Sequence, residues 1–210
     1  MLQFKEIPSS LVLSGIPPIH FNSHLSNFDN KYDKLQKGFF AKLLALTEKM
    51  LTLNVSASPK YVFLCGTPGS GKTHFMVGLY RAMIQKLGYS QGDGSLFVSY
   101  SVLATEMINA MQENTPLRIV LSGYLQSKWL FLDDITASDR VFKENSLEFQ
   151  TLRDVLLDRY ERNLCLIASS NLNSDDLIPE IDRLFGNYVS SRLSNSVIVQ
   201  FPAVDFRQLK

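Results

Sequence analysis

The stretch Gly66-Thr67-Pro68-Gly69-Ser70-Gly71-Lys72-Thr73 decides the fold of this chain. It fits the phosphate-binding loop pattern G-x-x-x-x-G-K-[ST] at every position. The apolar run 61–65 before it predicts a buried strand, and residues 74–87 after it predict a helix. A strand, a glycine-rich loop and a helix N-terminus together surround phosphate oxygens with backbone N–H groups. A glycine-rich turn that matches by chance is the alternative, and the correct flanks weigh against it.

Two side chains at the end of this loop have predicted roles of their own. Lys72 can neutralise β- and γ-phosphate oxygens, and the Thr73 hydroxyl can bind Mg²⁺. The loop therefore predicts a site for nucleotide phosphates and a metal ion.

Composition sets modest limits on the function. The 210 residues are 45% hydrophobic and 20% charged, which is typical of one soluble domain with a substantial core. The two cysteines, Cys65 and Cys165, lie in apolar runs and are interpreted as buried thiols. No apolar run approaches the roughly 20 residues of a membrane span, and no secretory pattern is present. The net charge of +1 neither demands nor excludes nucleic acid, and the cytoplasm is the expected compartment.

Strand-like and helix-like segments alternate along the chain. This alternation predicts an α/β fold, with a parallel five-stranded sheet flanked by helices. Residues 1–29 predict an irregular lead-in broken by prolines, residues 30–210 the main domain, and residues 112–128 carry no clear pattern. Asp29 or Asn30 is the expected N-cap of the first helix. The predicted strands are 61–65, 96–100, 129–132, 164–168 and 197–201, and the predicted helices are 30–53, 74–87, 102–111 and 147–162.

Two carboxylates follow the third predicted strand. Asp133 and Asp134 come directly after the apolar residues 129–132, as when a buried strand delivers acids to the edge of a sheet. In a P-loop protein the first acid helps to hold Mg²⁺, and the second orients the attacking water or accepts its proton. A surface turn after a strand is the alternative, since aspartate is common there.

Two further polar residues have candidate roles in phosphoryl transfer. Asn171, after the fourth predicted strand, can bind the attacking water or the γ-phosphate; a turn-forming asparagine is the alternative. Arg192, just before the last strand, can stabilise transition-state charge in a neighbouring subunit as an arginine finger. A solvated or ion-paired surface arginine is the alternative there.

Taken together, these residues resemble the AAA+ ATPases, and within them the DnaC/DnaI-type helicase loaders and the related initiator group. The resemblance runs from about residue 13 to residue 206, most of the chain. It implies an AAA+ core that binds and hydrolyses ATP, with His74 included in the nucleotide-binding segment 66–74. It also implies Asn171 as the sensor on the fourth strand and Arg192 as the finger, with Arg183 in reserve. The matching segments are SGIPP (14–18), NFD (27–29), GTPGSGKTH (66–74), LFLDD (130–134), IASSN (167–171) and FGNYVSSRL (185–193).

The chain departs from this family at both ends. Few residues precede the lead-in, so we expect no separate N-terminal domain that grips a helicase. The chain stops at Lys210, so we expect no C-terminal lid and no arginine supplied by one.

The resemblance also implies single-stranded DNA binding on the inner face of an assembly. The corresponding segments hold cations with aromatic residues nearby, which suits sequence-tolerant binding of single strands. An ordinary solvated surface is the alternative. The candidate DNA-binding residues are Arg118, Lys128, Arg140 and Lys143, with Tyr124 and Phe142 available for stacking.

The leading hypothesis is an ATP-dependent helicase loader or remodeller of DNA replication. It would form homo-oligomers with ATP and bind a replicative helicase. One alternative is an IstB-like helper of DNA transposition, which would coat duplex DNA. The other is a slow nucleotide switch that docks on a protein partner.

Overall fold

The computed structural model describes residues 15–28, 38–52, 54, 56, 58–87, 94–136 and 146–208, without the side chains of residues 147 and 148. Among these residues no helix is both long enough and apolar enough to cross a membrane. The strands are β1 (Tyr61–Cys65), β2 (Ser95–Ser99), β3 (Trp129–Asp133), β4 (Cys165–Ser170) and β5 (Val197–Gln200). The helices are α1 (Phe39–Met50), α2 (Lys72–Leu87), α3 (Tyr100–Gln112), α4 (Leu117–Gln126), α5 (Leu147–Glu161), α6 (Ser174–Phe185) and α7 (Asn187–Leu193).

The five strands form one parallel sheet in the order β2-β3-β4-β1-β5. In this register Val62 lies between Ile167 of β4 and Val197 of β5. Because all strands run the same way, their carboxyl ends meet at one edge of the sheet. The phosphate-binding loop after β1 therefore lies beside the end of β4, and the end of β3 follows one strand further on.

Strand residues alternate between two hydrophobic cores, as the period of two along a strand requires. On one face Val62 and Leu64 pack with Ile167 beneath α1, α2 and the lead-in. On the other face Phe63 and Ala168 pack beneath α3, α5, α6 and α7. Every residue of β1, β3 and β4 is buried, as expected when helices cover both faces of a parallel sheet.

The described part of the lead-in, residues 15–28, packs on α2 through two short 3-10 turns, Pro18–His20 and Leu25–Asn27. A Cβ atom at Gly78 of α2 would lie 2.8 Å from the backbone nitrogen of Leu25. This close approach explains why a glycine occupies the middle of α2. The contact also keeps the lead-in near the phosphate-binding loop.

A buried arginine braces the amino ends of β3 and β4. The Arg159 side chain is fully buried, and its guanidinium donates to the carbonyl oxygen of Tyr124 at 2.7 Å and to the Ser127 hydroxyl at 3.2 Å. It also donates to the carbonyl oxygens of Lys128 and Cys165. Burial lowers the pKa of Arg159 to about 10, and these acceptors satisfy most of its donors. The side chain therefore fixes the chain that enters both strands.

The predicted α/β sheet and its five strands are confirmed, with shifts at element ends. Tyr100 belongs to α3 and not to β2, because Ser99 caps that helix by accepting from the backbone nitrogen of Val102. The segment 112–128, for which no element was predicted, contains α4, and its Leu117, Leu121, Tyr124 and Leu125 pack, partly buried, against the core. These four residues are spaced as on one face of a helix, so the sequence carried a signal that the prediction missed. Two further helices, α6 and α7, were not predicted. The interior Pro179 obscures α6, although Leu177, Ile181 and Leu184 give it an apolar face.

The first predicted helix is confirmed over part of its length. The structure has α1 at Phe39–Met50 with Gly38 as its N-cap, at φ +75°. The expected start at residues 29–30 lies outside the described residues. The helix ends at Met50 with Leu51 as its C-cap, which is earlier than the predicted end at Leu53.

Candidate active site

Three glycines give the loop after β1 its shape. Gly66, Gly69 and Gly71 have φ angles of +139°, +78° and +94°, which residues with a Cβ atom rarely adopt. The backbone nitrogen of Gly66 donates to the carbonyl oxygen of Leu172 at 3.0 Å, so the loop is tied to the end of β4. The sequence pattern and the backbone therefore agree on a loop that turns back over the N-terminus of α2.

Lys72 points into the concave side of this loop. Its Nζ atom donates to the carbonyl oxygens of Gly66 at 2.6 Å and Thr67 at 2.9 Å, and to Asn171 Oδ1 at 3.1 Å. Burial lowers the pKa of Lys72, and the nearby carboxylates of Asp134 and Asp133 oppose that shift. The ammonium group is thus held by neutral oxygens at the place where phosphate oxygens would compete for it.

Asp133 is held at the end of β3 by two hydroxyl groups. Its Oδ1 atom accepts from Ser169 Oγ at 2.6 Å and from Thr73 Oγ1 at 3.1 Å. Burial raises the pKa of Asp133, and the hydrogen bonds from Ser169 and Thr73 oppose the shift. The two predicted metal ligands, Thr73 and Asp133, therefore lie in direct contact.

Asp134 has a strained backbone that aims its carboxylate toward Asn171. Its φ angle is +56°, and its backbone nitrogen donates to Ser169 Oγ at 2.7 Å. Its Oδ1 atom accepts from Asn171 Nδ2 at 2.9 Å. Burial raises the pKa of Asp134, the charge of Asp133 adds to the rise, and Lys72 opposes it. The two predicted groups, acid and amide, are brought together.

Ser169 is a site residue that sequence reasoning missed. Its hydroxyl group donates to Asp133 and accepts from the backbone of Asp134, so one buried side chain positions both acids. The available signal was its position near the end of β4, beside β3. A serine there is common enough that the pattern alone did not single it out.

Most of these residues, though not Asp133, line a cleft of about 370 Å³. The loop supplies N–H donors for phosphates, and Thr73 and Asp133 supply the hard oxygen ligands that Mg²⁺ prefers. Within the described residues no group of three or more carboxylate, histidine or cysteine side chains is placed to hold a metal ion.

The C-terminal segment closes one side of the cleft, which the sequence patterns did not predict. The backbone nitrogen of Phe206 donates to the carbonyl oxygen of Gly69 at 3.1 Å. Phe206 and Arg207 both line the cleft. Asp205 and Arg207 pair directly above Gly69, with Arg207 Nε 2.9 Å from Asp205 Oδ1. A residue with a Cβ atom at position 69 would collide with them.

His74 lines the cleft, but its ring bonds to the lead-in. Its Nε2 atom lies 2.8 Å from Asn27 Oδ1 and 3.3 Å from the carbonyl oxygen of His24. The His24 ring in turn lies 2.9 Å from a guanidinium nitrogen of Arg81. Burial lowers the pKa of His74 and of His24. His74 therefore ties the lead-in to the start of α2, beside the predicted phosphate site.

Arg192 is not brought to this cleft. It folds back on its own helix, donating to the carbonyl oxygen of Tyr188 at 2.5 Å with its guanidinium 3.5 Å from the Tyr188 ring centre. It also lies over Tyr160, which stacks on Tyr61, the first residue of β1. Arg192 is thus at the amino edge of the sheet, and the phosphate-binding loop is at the carboxyl edge. The reserve residue Arg183 pairs with Glu180 at 2.7 Å on the surface of α6.

The candidate DNA-binding residues are only partly described. Arg118 on α4 and Lys128 before β3 are exposed, which leaves both cations open to solvent. The Tyr124 side chain, a candidate for stacking, is half-buried and donates to Glu106 at 2.7 Å. Arg140, Lys143 and the second stacking candidate Phe142 lie outside the described residues.

Comparison with known proteins gives a likeness in structure alone. No protein-family model and no curated protein matches the sequence. Among solved structures, the DnaC helicase loader superposes with a TM-score of 0.69 at 21% identity, over 88% of this chain and 99% of that one. DnaI superposes with a TM-score of 0.61 at 16% identity, over 95% of this chain and 93% of that one.

A third likeness is to a larger protein. The replication initiator DnaA bound to AMPPCP and single-stranded DNA superposes with a TM-score of 0.61 at 18% identity. The match covers 89% of this chain and 50% of that DnaA chain, so this chain spans half its length. These likenesses, with the observed sheet, confirm the predicted fold, a parallel five-stranded sheet flanked by helices with the phosphate-binding loop after β1.

Proposed function

We propose that this protein is a DNA replication ATPase of the AAA+ helicase loader and initiator group. The observation that carries the proposal is the contact of Asn171 with both Lys72 and Asp134, beside the Thr73–Asp133 pair. Three separate segments supply these residues, and each residue has the chemistry that its predicted role requires. Adventitious turns at three strand ends do not account for such convergence.

The residues divide the work of ATP hydrolysis between them. Lys72 and the N–H groups of the loop bind the phosphates, and Thr73 and Asp133 hold Mg²⁺. Bound Mg²⁺ would neutralise charge on the β- and γ-phosphate oxygens. Asp134 accepts a proton from the attacking water, whose oxygen forms a bond to the γ-phosphorus as the bond to the ADP oxygen breaks. Asn171 positions that water or the γ-phosphate, and its own amide is held by Asp134 and Lys72.

The position of Arg192 supports action on a neighbouring subunit. The strand β1 has five residues and separates the two edges of the sheet by roughly 13 Å. Arg192 cannot reach the cleft of its own subunit across that span. A guanidinium at the amino edge is available to the carboxyl edge of a second copy, so ATP would assemble subunits side by side. This assembly and the finger role of Arg192 are part of the proposal.

Single-stranded DNA and a replicative helicase are the proposed partners. One similar structure is a helicase loader, and another is an initiator bound to AMPPCP and single-stranded DNA. Exposed Arg118 and Lys128, with Arg140 and Lys143, are the proposed DNA contacts, and the cytoplasm is the proposed compartment. Their charges would act mainly on the sugar–phosphate backbone, so binding would weaken as salt increases.

Turnover of ATP with different DNA ligands tests this function. Phosphate release is measured at one protein concentration without DNA, with single-stranded DNA and with duplex DNA. Stimulation by single strands that falls in Arg118→Ala and Lys128→Ala supports the loader-like ATPase. A response to duplex alone favours the transposition helper. Bound nucleotide without any response to DNA favours a switch that docks on a protein, and would contradict the proposed DNA partner.

A further inference from the structure

A carboxylate of this chain lies against the apex of the phosphate-binding loop. An ideal Cβ atom built on Gly69 would lie 1.9 Å from Asp205 Oδ1, so that oxygen occupies the space a side chain would fill. The backbone nitrogen of Phe206 donates to the carbonyl oxygen of Gly69 and fixes the segment there. An anion is thus held next to a loop whose predicted ligand is also an anion.

Arg207 is the partner of this carboxylate. Its Nε atom donates to Asp205 Oδ1 at 2.9 Å, and its terminal nitrogen donates to Asp205 Oδ2 at 3.1 Å. The hydrogen bonds from Arg207 lower the pKa of Asp205, which is therefore ionised at neutral pH. The Arg207 side chain is 65% exposed, and this residue lines the cleft. Its guanidinium can therefore turn from Asp205 to a phosphate group without unfolding the segment.

We infer that Asp205 competes with nucleotide phosphate for Arg207 and so sets the nucleotide affinity of the site. This inference rests on the proposed function, because it concerns the same cleft. Without nucleotide, Asp205 holds Arg207 beside the loop. With nucleotide, a phosphate oxygen takes over the guanidinium, and the remaining carboxylate repels the phosphate chain. Asp205 thus limits how tightly nucleotide binds, because it competes for Arg207 and repels the phosphate chain.

A purely structural role for Asp205 makes the opposite prediction. Its Oδ1 atom also accepts from the backbone nitrogen of Arg207 at 3.0 Å, a turn that stabilises the segment. If Asp205 only shaped the segment, its loss would displace Arg207 and weaken nucleotide binding. Replacement by asparagine separates the two roles, because the asparagine amide oxygen keeps the turn and lacks the charge.

The experiment measures the affinity of the full chain for Mg·ADP and Mg·AMPPCP by calorimetric titration. Neither probe is hydrolysed by the site, so the result is independent of turnover. The variants are Asp205→Asn, Asp205→Ser, Arg207→Ala and the double variant Asp205→Asn with Arg207→Ala. The matched control is Glu161→Gln, which removes one negative charge at the exposed end of α5, at the amino edge of the sheet. Circular dichroism checks that each variant is folded.

We expect Asp205→Asn to bind both nucleotides about 3- to 30-fold more tightly, as for removal of a like charge near the phosphates. Asp205→Ser should also bind both nucleotides more tightly than wild type. Arg207→Ala should bind them more weakly than wild type, and the double variant should bind them more tightly than Arg207→Ala. The gain should shrink as salt increases, because the groups are exposed. The nucleotide affinity of Glu161→Gln should stay within about twofold of wild type, since Glu161 is more than a Debye length from the cleft.

Unchanged or weaker binding by both Asp205 variants would overturn the inference and leave the proposed function standing. Failure of the wild-type chain to bind either nucleotide would overturn the proposed function itself, and the inference with it. The same titrations therefore distinguish failure of the inference from failure of the proposed function.

Discussion

Asn171 Nδ2 donates a hydrogen bond to Asp134 Oδ1 at 2.9 Å, and this contact fixes the orientation of the amide. The same amide accepts from Lys72 Nζ at 3.1 Å. A neutral group at the end of β4 thus connects the proposed base with the proposed phosphate-binding lysine. Its backbone is also held, because its nitrogen donates to Thr136 Oγ1 at 2.8 Å.

Replacement of Asn171 should impair turnover more than binding. Asn171→Ala removes the amide that orients water or the γ-phosphate, and we expect kcat to fall about 10²-fold. Nucleotide affinity should change by less than about fivefold, because the loop and Lys72 remain. Asn171→Asp should be at least as slow, since it places a third carboxylate in the site. Single-turnover hydrolysis and nucleotide titration check both statements. A normal kcat in Asn171→Ala would remove Asn171 from the mechanism.

The acid limb of the pH profile should report the raised pKa of Asp134. Burial and the charge of Asp133 disfavour its ionised form, and a proton acceptor must be ionised to act. We therefore expect turnover to fall, as pH decreases, at a higher pH than an ordinary aspartate would give. The measurement is kcat against pH in saturating Mg·ATP. An acid limb at the ordinary aspartate pKa would contradict this expectation.

Stability should respond to the same group in the opposite sense. Because the folded-state pKa of Asp134 is raised, its protonation favours the folded state. That contribution is fully present below the unfolded pKa and is lost as pH rises through the folded value. Thermal unfolding of wild type and Asp134→Asn is measured against pH. The stability of the variant relative to wild type should increase as pH rises.

Ser169 should matter for the stability of the folded protein. Ser169→Ala removes the hydroxyl group that donates to the buried Asp133 carboxylate and accepts from the Asp134 backbone nitrogen. We expect a loss of about 1–3 kcal/mol in the free energy of unfolding, as for a buried polar group left unsatisfied. Urea denaturation gives this number, and Ser194→Ala, at an exposed serine after α7, is the matched control. Equal stability losses in the two variants would show that the Ser169 contacts have no special weight.

Arg192 should act only between subunits. Arg192→Ala should bind nucleotide normally and lose turnover by about 10³-fold or more, the range for arginine fingers. A mixture of Arg192→Ala and Asp134→Asn subunits should recover part of the wild-type rate, because each supplies what the other lacks. Phosphate release against mixing ratio measures this recovery. If the mixture turns over ATP no faster than the sum of the two variants alone, Arg192 does not act in trans. If only Arg183→Ala loses turnover, Arg183 and not Arg192 is the arginine finger.

The sequence predicted the central site because its signals are local. The loop motif, the strand 129–132 followed by two acids, and Asn171 after another strand each occupy a few adjacent residues. Parallel strands then bring their carboxyl ends together without further information. The sequence therefore predicts that Lys72, Asp134 and Asn171 lie close together, and the structure has them in contact.

The other features depend on contacts between distant parts of the chain. Ser169 positions two acids that lie about 35 residues before it, and that pairing exists only in the β3–β4 register. Asp205 and Arg207 reach Gly69 across more than 130 residues of chain. The α4 helix is different, because Leu117, Leu121, Tyr124 and Leu125 face the core at helical spacing, a local signal that the prediction missed.

The most direct test of the account compares binding and hydrolysis of Mg·ATP in wild type and Asp134→Asn, with Glu161→Gln as the charge-matched control. The account predicts that Asp134→Asn binds Mg·ATP at least as well as wild type and loses single-turnover hydrolysis by about 10²-fold or more. The control should hydrolyse at the wild-type rate. Wild-type hydrolysis by Asp134→Asn, or failure of the wild-type protein to hydrolyse ATP with or without single-stranded DNA, would contradict the central claim.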